Sequence, residues 1–244
     1  MTYIVFDGKV VISDCLVSTS AGSGIIGRKP VNDKGMVQYN KYAPTVDIYY
    51  DDCRKQIFPV GATYQGKPLK MITLAGSAQP LQAICGALDA GVDFDDIIKV
   101  DVNVQPKAKR HIFNGNSSFM ILTDDNKGLL VYCNGDSVKV DERRFMHMGS
   151  GTTVVDSVRG LIPGIMQDTA PELTSLEAFV LASGQTETVS EAFDYYIPAT
   201  GEYKTNQRLT ERQAEFILNR IQKRMKLADT YRELTYVNRT PQAL

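Results

Sequence analysis

The amino-acid sequence predicts an α+β fold in which helices cover antiparallel β-sheets. Strand-like segments occur in hairpin runs, and single helices or helix pairs separate these runs instead of alternating with individual strands. The 244 residues are 43% hydrophobic and 23% charged, which is typical of globular proteins. No linker or internal repeat divides the chain. We expect one domain over residues 1–205 with an insertion at 18–51, followed by a helical extension and tail over 206–244.

Charge, cysteine and histidine counts exclude several partners and cofactors. The 27 basic and 28 acidic residues give a net charge of −1, so we expect neither nucleic acid nor an anionic membrane surface as a partner. The four cysteines form no CxxC pair and the two histidines are too few for a three-histidine centre, so we expect no metal and no other cofactor. Without a secretory signal or a run of 18 apolar residues, we expect a cytoplasmic protein.

The first half of the chain is predicted to be rich in strands. Apolar strand segments flank Asp7 and Gly8, a dipeptide that tolerates positive φ, and they predict an opening hairpin over residues 3–12. Residues 18–51 are rich in Ser, Gly, Asn and Asp without a sustained period, which predicts a long loop or an irregular insertion. Two further strands and a helix are expected at residues 54–60, 70–75 and 78–88.

The second half predicts more strands and three helices. Turn clusters separate its strands, and apolar residues at helical spacing mark each helix. Thr174 or Ser175 is expected to cap the second of these helices, because a hydroxyl there accepts a backbone N–H. The strands are expected at residues 118–123, 129–134, 144–148, 192–197 and 202–205, and the helices after residue 151, at 176–182 and at 210–228.

Two glycine-rich segments are candidate binding elements. Residues 22–27 match GxGxxG, but a dinucleotide site needs a helix to start there and residues 28–33 favour none. We therefore expect a flexible loop, and a nucleotide-binding module is only a remote alternative. Residues 149–151, Gly-Ser-Gly, lie between a strand and a helix. Their backbone N–H groups could bind an anion or an oxyanion, or the segment could be only a tight structural turn.

Thr2 suggests an N-terminal nucleophile. An initiator methionine is commonly removed when the second residue is small, and its removal would leave the threonine with a free α-amine. The hydroxyl then acts as the nucleophile, and the amine, with a pKa of about 7.7–8.0, acts as its base. A threonine at this position gains significance only from the segments that follow it.

Five short segments occur in an order that one known family shares. They are residues 2–14, 54–58, 71–79, 149–151 and 187–190. With them the chain resembles the proteasome β-subunit superfamily of N-terminal nucleophile hydrolases, to which the HslV and Anbu proteins belong. The resemblance implies a four-layer αββα sandwich of two antiparallel sheets between helix layers. It also implies a threonine-type peptidase that assembles into rings, with an ATPase unfoldase as a candidate partner.

The same resemblance implies roles for individual residues. Thr2 would be the nucleophile, and Lys55, paired with Asp14, would stabilise its deprotonated hydroxyl. A backbone N–H in the Gly76-Ser77 turn would bind the oxyanion at a helix N-terminus. The residues implied to orient the amine and a water are Ser150, Glu187 and Ser190.

The strand that follows the insertion leaves open whether Lys55 or Gln56 faces the nucleophile. Adjacent strand residues point to opposite faces, so only one of the two is expected inside. Phe58 and Val60 form the better core pair, which would place Gln56 inside and leave the site without a positive charge. A bulge near Pro59 would return Lys55 to the inward face. We favour Lys55 there because Asp14 would otherwise be a buried carboxylate without a partner.

Two functions stay open on the sequence alone. One is a threonine hydrolase that cleaves peptide bonds, and the other is a catalytically inactive protein of the same fold with a structural or interaction role. Retention of Met1 would favour the second, because Thr2 then has no free amine. We also expect a homo-oligomer above dimer mass, because the helices after residue 151 and at 210–228 carry more apolar residues than one thin sandwich hides.

Overall fold

The structure is a computed structural model that describes residues 2–21, 46–50, 54–75, 84, 86–97, 117–125, 127–134, 137–142, 144–186 and 189–225. Antiparallel strands form two sheets and a separate two-stranded ribbon, and helices accompany them, as an α+β fold requires. The strands are β1 (Tyr3–Phe6), β2 (Val11–Asp14), β3 (Val17–Ala21), β4 (Val46–Tyr50), β5 (Gln56–Ile57), β6 (Thr63–Tyr64), β7 (Lys67–Ala75), β8 (Ser117–Thr123), β9 (Gly128–Asn134), β10 (Ser137–Glu142), β11 (Met146–Gly149), β12 (Phe193–Ile197) and β13 (Glu202–Gln207). The helices are α1 (Thr152–Leu161), α2 (Ser175–Gln185) and α3 (Glu211–Arg224), and residues 86–89 and 94–97 are also helical.

The first sheet has the strand order β11-β1-β2-β12-β13 and brings distant parts of the chain beside the N-terminus. β1 pairs with β11 so that Tyr3 lies opposite Gly149, and with β2 so that Ile4 lies opposite Ser13. One face of the sheet packs against all three helices. The buried cluster at that face includes Tyr3, Val5, Ile12 and Phe193 of the sheet with Val155, Phe179 and Leu218 of the helices.

The second sheet has the order β10-β9-β8-β7-β5, and β6 also pairs with β7. Apolar residues of β7 and β8 pack on one face with the helical segments near Ile84 and Phe94. On their other face the same strands pack against the first sheet, and four of the ten buried residues described at this contact are methionines. The buried residues between the two sheets are Ile4, Phe6, Val11, Met146, Met148 and Tyr196 of the first sheet and Met71, Ala75, Met120 and Leu122 of the second.

Capping and a buried charge fix the helices of the first sheet. Thr174 caps α2 with a capping box that includes Glu177, so the serine alternative for this cap is wrong. The carboxylate of Glu177 is buried and accepts hydrogen bonds from Arg220 and Arg224 of α3. These contacts join α3 to α2 and hold the buried face of α3 against the core.

The apolar residues of α3 lie mostly inside the chain. Its Ala214, Ile217, Leu218 and Ile221 are buried, and Phe216 is its exposed large apolar side chain. The described residues thus cover much of the apolar surface from which the sequence predicted self-association.

Two sequence-based expectations about strands are wrong. Residues 18–51 are not wholly a loop, because β3 and β4 pair in register from Val17↔Tyr50 to Ala21↔Val46 at the two ends of the insertion. The expected strand at 54–60 shrinks to β5, since Phe58 is 37% exposed and Val60 fully exposed. Both errors have one cause. The composition of 18–51 gave no sign of β3 and β4, and the apolar residues of 54–60 suggested a longer strand, whereas pairing with other strands decides which residues are extended.

Several expectations fall outside the described residues. These include the GxGxxG segment at 22–27 and most of the helix predicted at 78–88, of which residues 84 and 86–88 are helical. The sequence also failed to predict β10, whose charged residues suit a sheet edge better than a core. In the part of the chain that the structure describes, no helix has the length and hydrophobicity to cross a bilayer.

Candidate active site

Thr2, Asp14 and Lys55 meet where the two sheets adjoin. Thr2 immediately precedes β1, and Asp14 ends the neighbouring strand β2. Lys55 immediately precedes β5, at the edge of the second sheet. The Thr2 hydroxyl donates to Asp14 Oδ1 at 2.6 Å and accepts a hydrogen bond from Lys55 Nζ, which lies 2.5 Å from the same carboxylate oxygen. A hydroxyl, a carboxylate and an ammonium group therefore form one closed cluster.

Burial strengthens the electrostatic interactions among these three side chains. The exposed fractions are 4% for Thr2, 0% for Asp14 and 5% for Lys55. Charges removed from water to this extent persist only when they are paired and hydrogen-bonded, and here the ammonium and the carboxylate satisfy each other. Lys55 also places positive charge on the hydroxyl oxygen, which favours the deprotonated, nucleophilic form of that hydroxyl.

Backbone groups hold the Asp14 carboxylate in place. Its Oδ1 accepts the Tyr3 N–H at 2.7 Å, and its Oδ2 accepts the N–H groups of Leu16 at 3.3 Å and Ser190 at 3.4 Å. Three segments of the chain thus orient one side chain. The carboxylate cannot rotate without breaking several hydrogen bonds, which fixes the position of Thr2 and Lys55 as well.

The choice between Lys55 and Gln56 rested on a wrong premise, since both side chains are buried. Because Lys55 precedes β5, the alternation of a strand does not apply to it, and its ammonium reaches Thr2 and Asp14. Gln56 points between the sheets, where its Nε2 donates to Ser13 Oγ at 3.0 Å. No bulge is needed to explain the position of Lys55.

The Gly-Ser-Gly turn at 149–151 holds the backbone of Thr2. The Ser150 N–H donates to the Thr2 carbonyl oxygen at 2.8 Å, and the Ser150 hydroxyl donates to the same oxygen at 3.3 Å. Gly149 has φ +104°, and a Cβ there would lie 1.8 Å from that oxygen. Only glycine fits such a close approach of two backbones. The Ser150 N–H serves as a structural contact here, which corresponds to the simpler of the two interpretations of this turn.

The remaining residues implied by the resemblance divide into described and undescribed ones. Ser190 supports Asp14 through its backbone N–H, and its Oγ accepts the Ala192 N–H at 2.8 Å. The residues that lie outside the described part of the chain are Gly76, Ser77 and Glu187. In the described residues no group of three or more His, Cys, Asp or Glu side chains could hold a metal ion.

Sequence reasoning missed a second polar cluster beside the first. Asp194 is buried next to β2 and accepts hydrogen bonds from the thiol of Cys15, the Tyr203 hydroxyl and the Asn206 N–H. Burial, with Asp194 close by, raises the pKa of Tyr203 well above its usual value. Only the burial of Asp194 distinguishes it from a surface aspartate, and the sequence contains no signal for that.

Two buried oxygens near the same place have no hydrogen-bond partner among the described residues. They are Gln56 Oε1 and Thr73 Oγ1, which belong to residues paired across β5 and β7. Such atoms carry the free-energy cost of an unsatisfied polar group. The polar surface between the sheets thus extends beyond the Thr2 cluster.

Comparison with known proteins yields a distant similarity to solved structures. No protein-family model matches the sequence, and no curated protein matches it. Among solved structures, the chain is similar to an Anbu (Gly-1) mutant from Hyphomicrobium sp. strain MC1. That comparison covers 91% of this chain and 95% of the other, with 13% identity and a TM-score of 0.46. So loose a similarity carries no conclusion about activity.

Proposed function

We propose that this protein is a threonine-type peptidase whose nucleophile is Thr2, released by removal of Met1. One observation carries the proposal. The Thr2 hydroxyl lies in hydrogen-bond contact with both Asp14 and Lys55, and each of the three residues is at most 5% exposed. A structural threonine needs no buried ion pair around its hydroxyl, whereas a nucleophile gains reactivity from one.

The chemistry follows from the atoms in the cluster. The Thr2 Oγ attacks the carbonyl carbon of a peptide bond, and the free α-amine accepts the hydroxyl proton and passes it to the leaving amine. The C–N bond breaks and an ester to Thr2 forms. A water molecule then hydrolyses this ester and restores the hydroxyl. Lys55 stabilises the developing negative charge on Oγ, and Asp14 holds Lys55 in place.

The finer roles rest on the sequence resemblance. Ser150, Glu187 and Ser190 would orient the amine and the water, and the Gly76-Ser77 turn would bind the oxyanion. The contacts of Ser150 with the Thr2 carbonyl oxygen and of Ser190 with Asp14 support a positioning role for these two residues. The separate clusters on each face of the two sheets likewise support the proposed four-layer αββα arrangement.

A ring assembly belongs to the same proposal, and so does an ATPase unfoldase as its partner. The order of the five family-like segments supports both. We expect sedimentation at micromolar concentration to give a mass well above that of a dimer. A uniform species of 27 kDa would contradict ring formation.

An inactive scaffold is the second candidate, and one observation favours it. Thr2 is only 4% exposed, so little of its surface is open to a substrate in this structure. A scaffold would retain Met1, and its buried polar cluster would serve stability alone.

The test compares Thr2→Ala and Thr2→Ser with the wild type. We expect the intact mass of the wild type to lack one methionine. Peptide hydrolysis should fall at least about 10³-fold in Thr2→Ala, because that variant has no nucleophile. Thr2→Ser should keep part of the activity, since it retains a hydroxyl and an amine.

Thr200→Ala is the matched control, because it removes a threonine hydroxyl at the exposed turn between β12 and β13. It should hydrolyse peptides at the wild-type rate. Full activity in Thr2→Ala would refute the N-terminal nucleophile. An inactive wild type that retains Met1 would establish the scaffold instead.

A further inference from the structure

A chain of hydrogen bonds runs from buried Tyr3, the residue after Thr2, to Asp156 on the exposed side of helix α1. Tyr3 is fully buried, and its hydroxyl lies 3.3 Å from Nδ1 of His147 on β11. The Nε2 of His147 lies 3.1 Å from Asp156 Oδ1 on α1. The rings of Tyr3 and His147 meet edge to face with centroids 6.1 Å apart. Neither His147 nor Asp156 touches the Thr2 hydroxyl, so this chain lies outside the cluster described above.

These contacts fit the neutral form of His147. Its Nε2–H donates to the carboxylate of Asp156, and its Nδ1 accepts the Tyr3 O–H. Protonation would place a hydrogen on Nδ1 as well, and the buried Tyr3 O–H would lose its acceptor there. The charged groups that face His147 are Asp156 and Arg159 of α1 and Glu172 before α2. Burial lowers the pKa of His147, and Arg159 acts in the same direction, whereas Asp156 and Glu172 act against it.

Tyr3 transmits its position to Thr2 through rigid contacts. Its backbone N–H donates to Asp14 Oδ1, the oxygen that also accepts the Thr2 hydroxyl. Its ring packs against Gly151, where an added Cβ would lie 2.8 Å from the ring. The Tyr3 ring therefore has little room to turn by itself, so a change in its hydroxyl contact with His147 shifts the residue as a whole, including the backbone N–H that binds Asp14.

We propose that His147 is a positioning residue for Thr2, acting through Tyr3, and that its protonation loosens Thr2 from the Asp14–Lys55 cluster. The structural coupling stands on the contacts above, and its effect on catalysis rests on the proposed peptidase function. The site is then held in working geometry at neutral pH and loosened by acid.

The direction of the pH effect follows from linkage. Because the folded state disfavours the charged imidazole, the contribution of His147 to stability is fully present above its unfolded pKa of about 6.5. That contribution falls as the pH drops below this value. Loosening of Thr2 should occur at lower pH, as the folded protein itself takes up the proton.

Nuclear magnetic resonance of the full chain tests the coupling without any substrate. The chain has two histidines, so His111→Gln leaves one imidazole signal, and Thr2→Ser identifies the Thr2 γ-methyl signal by removing it. We expect the His147 imidazole and the Thr2 methyl to titrate with one midpoint, below pH 6.5. In Tyr3→Phe the imidazole should still titrate while the Thr2 methyl shift stays constant.

Two results would overturn the proposal. One is a Thr2 methyl signal in the wild type that does not change while His147 titrates, and the other is an unchanged Thr2 titration in Tyr3→Phe. If Tyr3→Phe does not fold, His147→Gln replaces it, because this variant should abolish the Thr2 titration in the same way.

Hydrolysis separates this inference from the proposed function. If the wild type cleaves peptides, Tyr3→Phe should lower kcat by on the order of 10²-fold and leave KM unchanged. Its kcat profile should keep only the one-proton acid limb that the α-amine base gives, whereas the wild type should lose kcat with a two-proton slope once His147 is also protonated. A two-proton slope retained in Tyr3→Phe would contradict a role for His147. If Thr2→Ala shows that Thr2 is not a nucleophile, the peptidase fails, and the titration of the Thr2 methyl still decides the coupling.

Discussion

Lys55→Met is expected to lower the free energy of unfolding by about 3–5 kcal/mol and to abolish peptide hydrolysis. Methionine keeps the length and apolar stem of lysine but removes the ammonium that pairs with Asp14. The carboxylate of Asp14 is fully buried, so its charge would be left without a compensating partner. Urea denaturation of the wild type and the variant measures the change in stability.

A double variant shows that the cost comes from the unpaired charge. Asp14→Asn combined with Lys55→Met should recover much of the stability lost in Lys55→Met, because no unpaired buried charge is then left at this site. It should recover no activity. Lys67→Met is the matched control, since the Lys67–Asp125 pair lies at the surface, where an ion pair contributes little. A Lys55→Met variant as stable as Lys67→Met would contradict a buried ion pair at the site.

Among the described glycines, Gly149 is the one whose replacement by alanine is expected to be most damaging. The new Cβ would lie 1.8 Å from the Thr2 carbonyl oxygen, and alanine disfavours the φ of +104° at this position. Strain of this kind costs about 1–3 kcal/mol, and displacement of Thr2 should also reduce hydrolysis by on the order of 10²-fold. Thermal unfolding and peptide hydrolysis measure the two effects.

Gly160→Ala provides the comparison within the same segment of chain. Gly160 lies in α1, and a Cβ there would meet no atom within 4 Å. Alanine should stabilise this helix by about 0.5–1 kcal/mol, because glycine loses more backbone entropy on folding. Equal behaviour of the two variants would show that Gly149 does not need its close approach to Thr2.

The sequence predicted most elements whose signals are local. The opening hairpin, the strands β8 and β9 and the helix capped by Thr210 lie close to their expected bounds, because turn residues and helical spacing determine them. β3, β4 and β10 were missed. Their sequences are polar or alternate between apolar and polar residues only briefly, so pairing with a partner strand is what makes them extended.

The candidate site divides in the same way. Thr2, Asp14 and Lys55 were named from short segments in family order, yet the argument from strand alternation would have favoured Gln56. That argument failed because Lys55 lies outside the strand. The contact between Tyr3 and His147 joins residues 144 positions apart, and no local pattern encodes the pairing of β1 with β11 that creates it.

The ion pair at the site also decides how the two sheets lie on each other. Asp14 belongs to the first sheet and Lys55 to the edge of the second, whereas methionines provide much of the apolar contact between them. Methionine side chains are flexible and fill many shapes, so this contact alone tolerates several relative placements of the sheets. A slip by one strand spacing, about 4.8 Å, would separate the two charges and leave both buried alone. Together with the hydrogen bond from Gln56 to Ser13, the pair therefore favours one alignment over others that the apolar contact would accept.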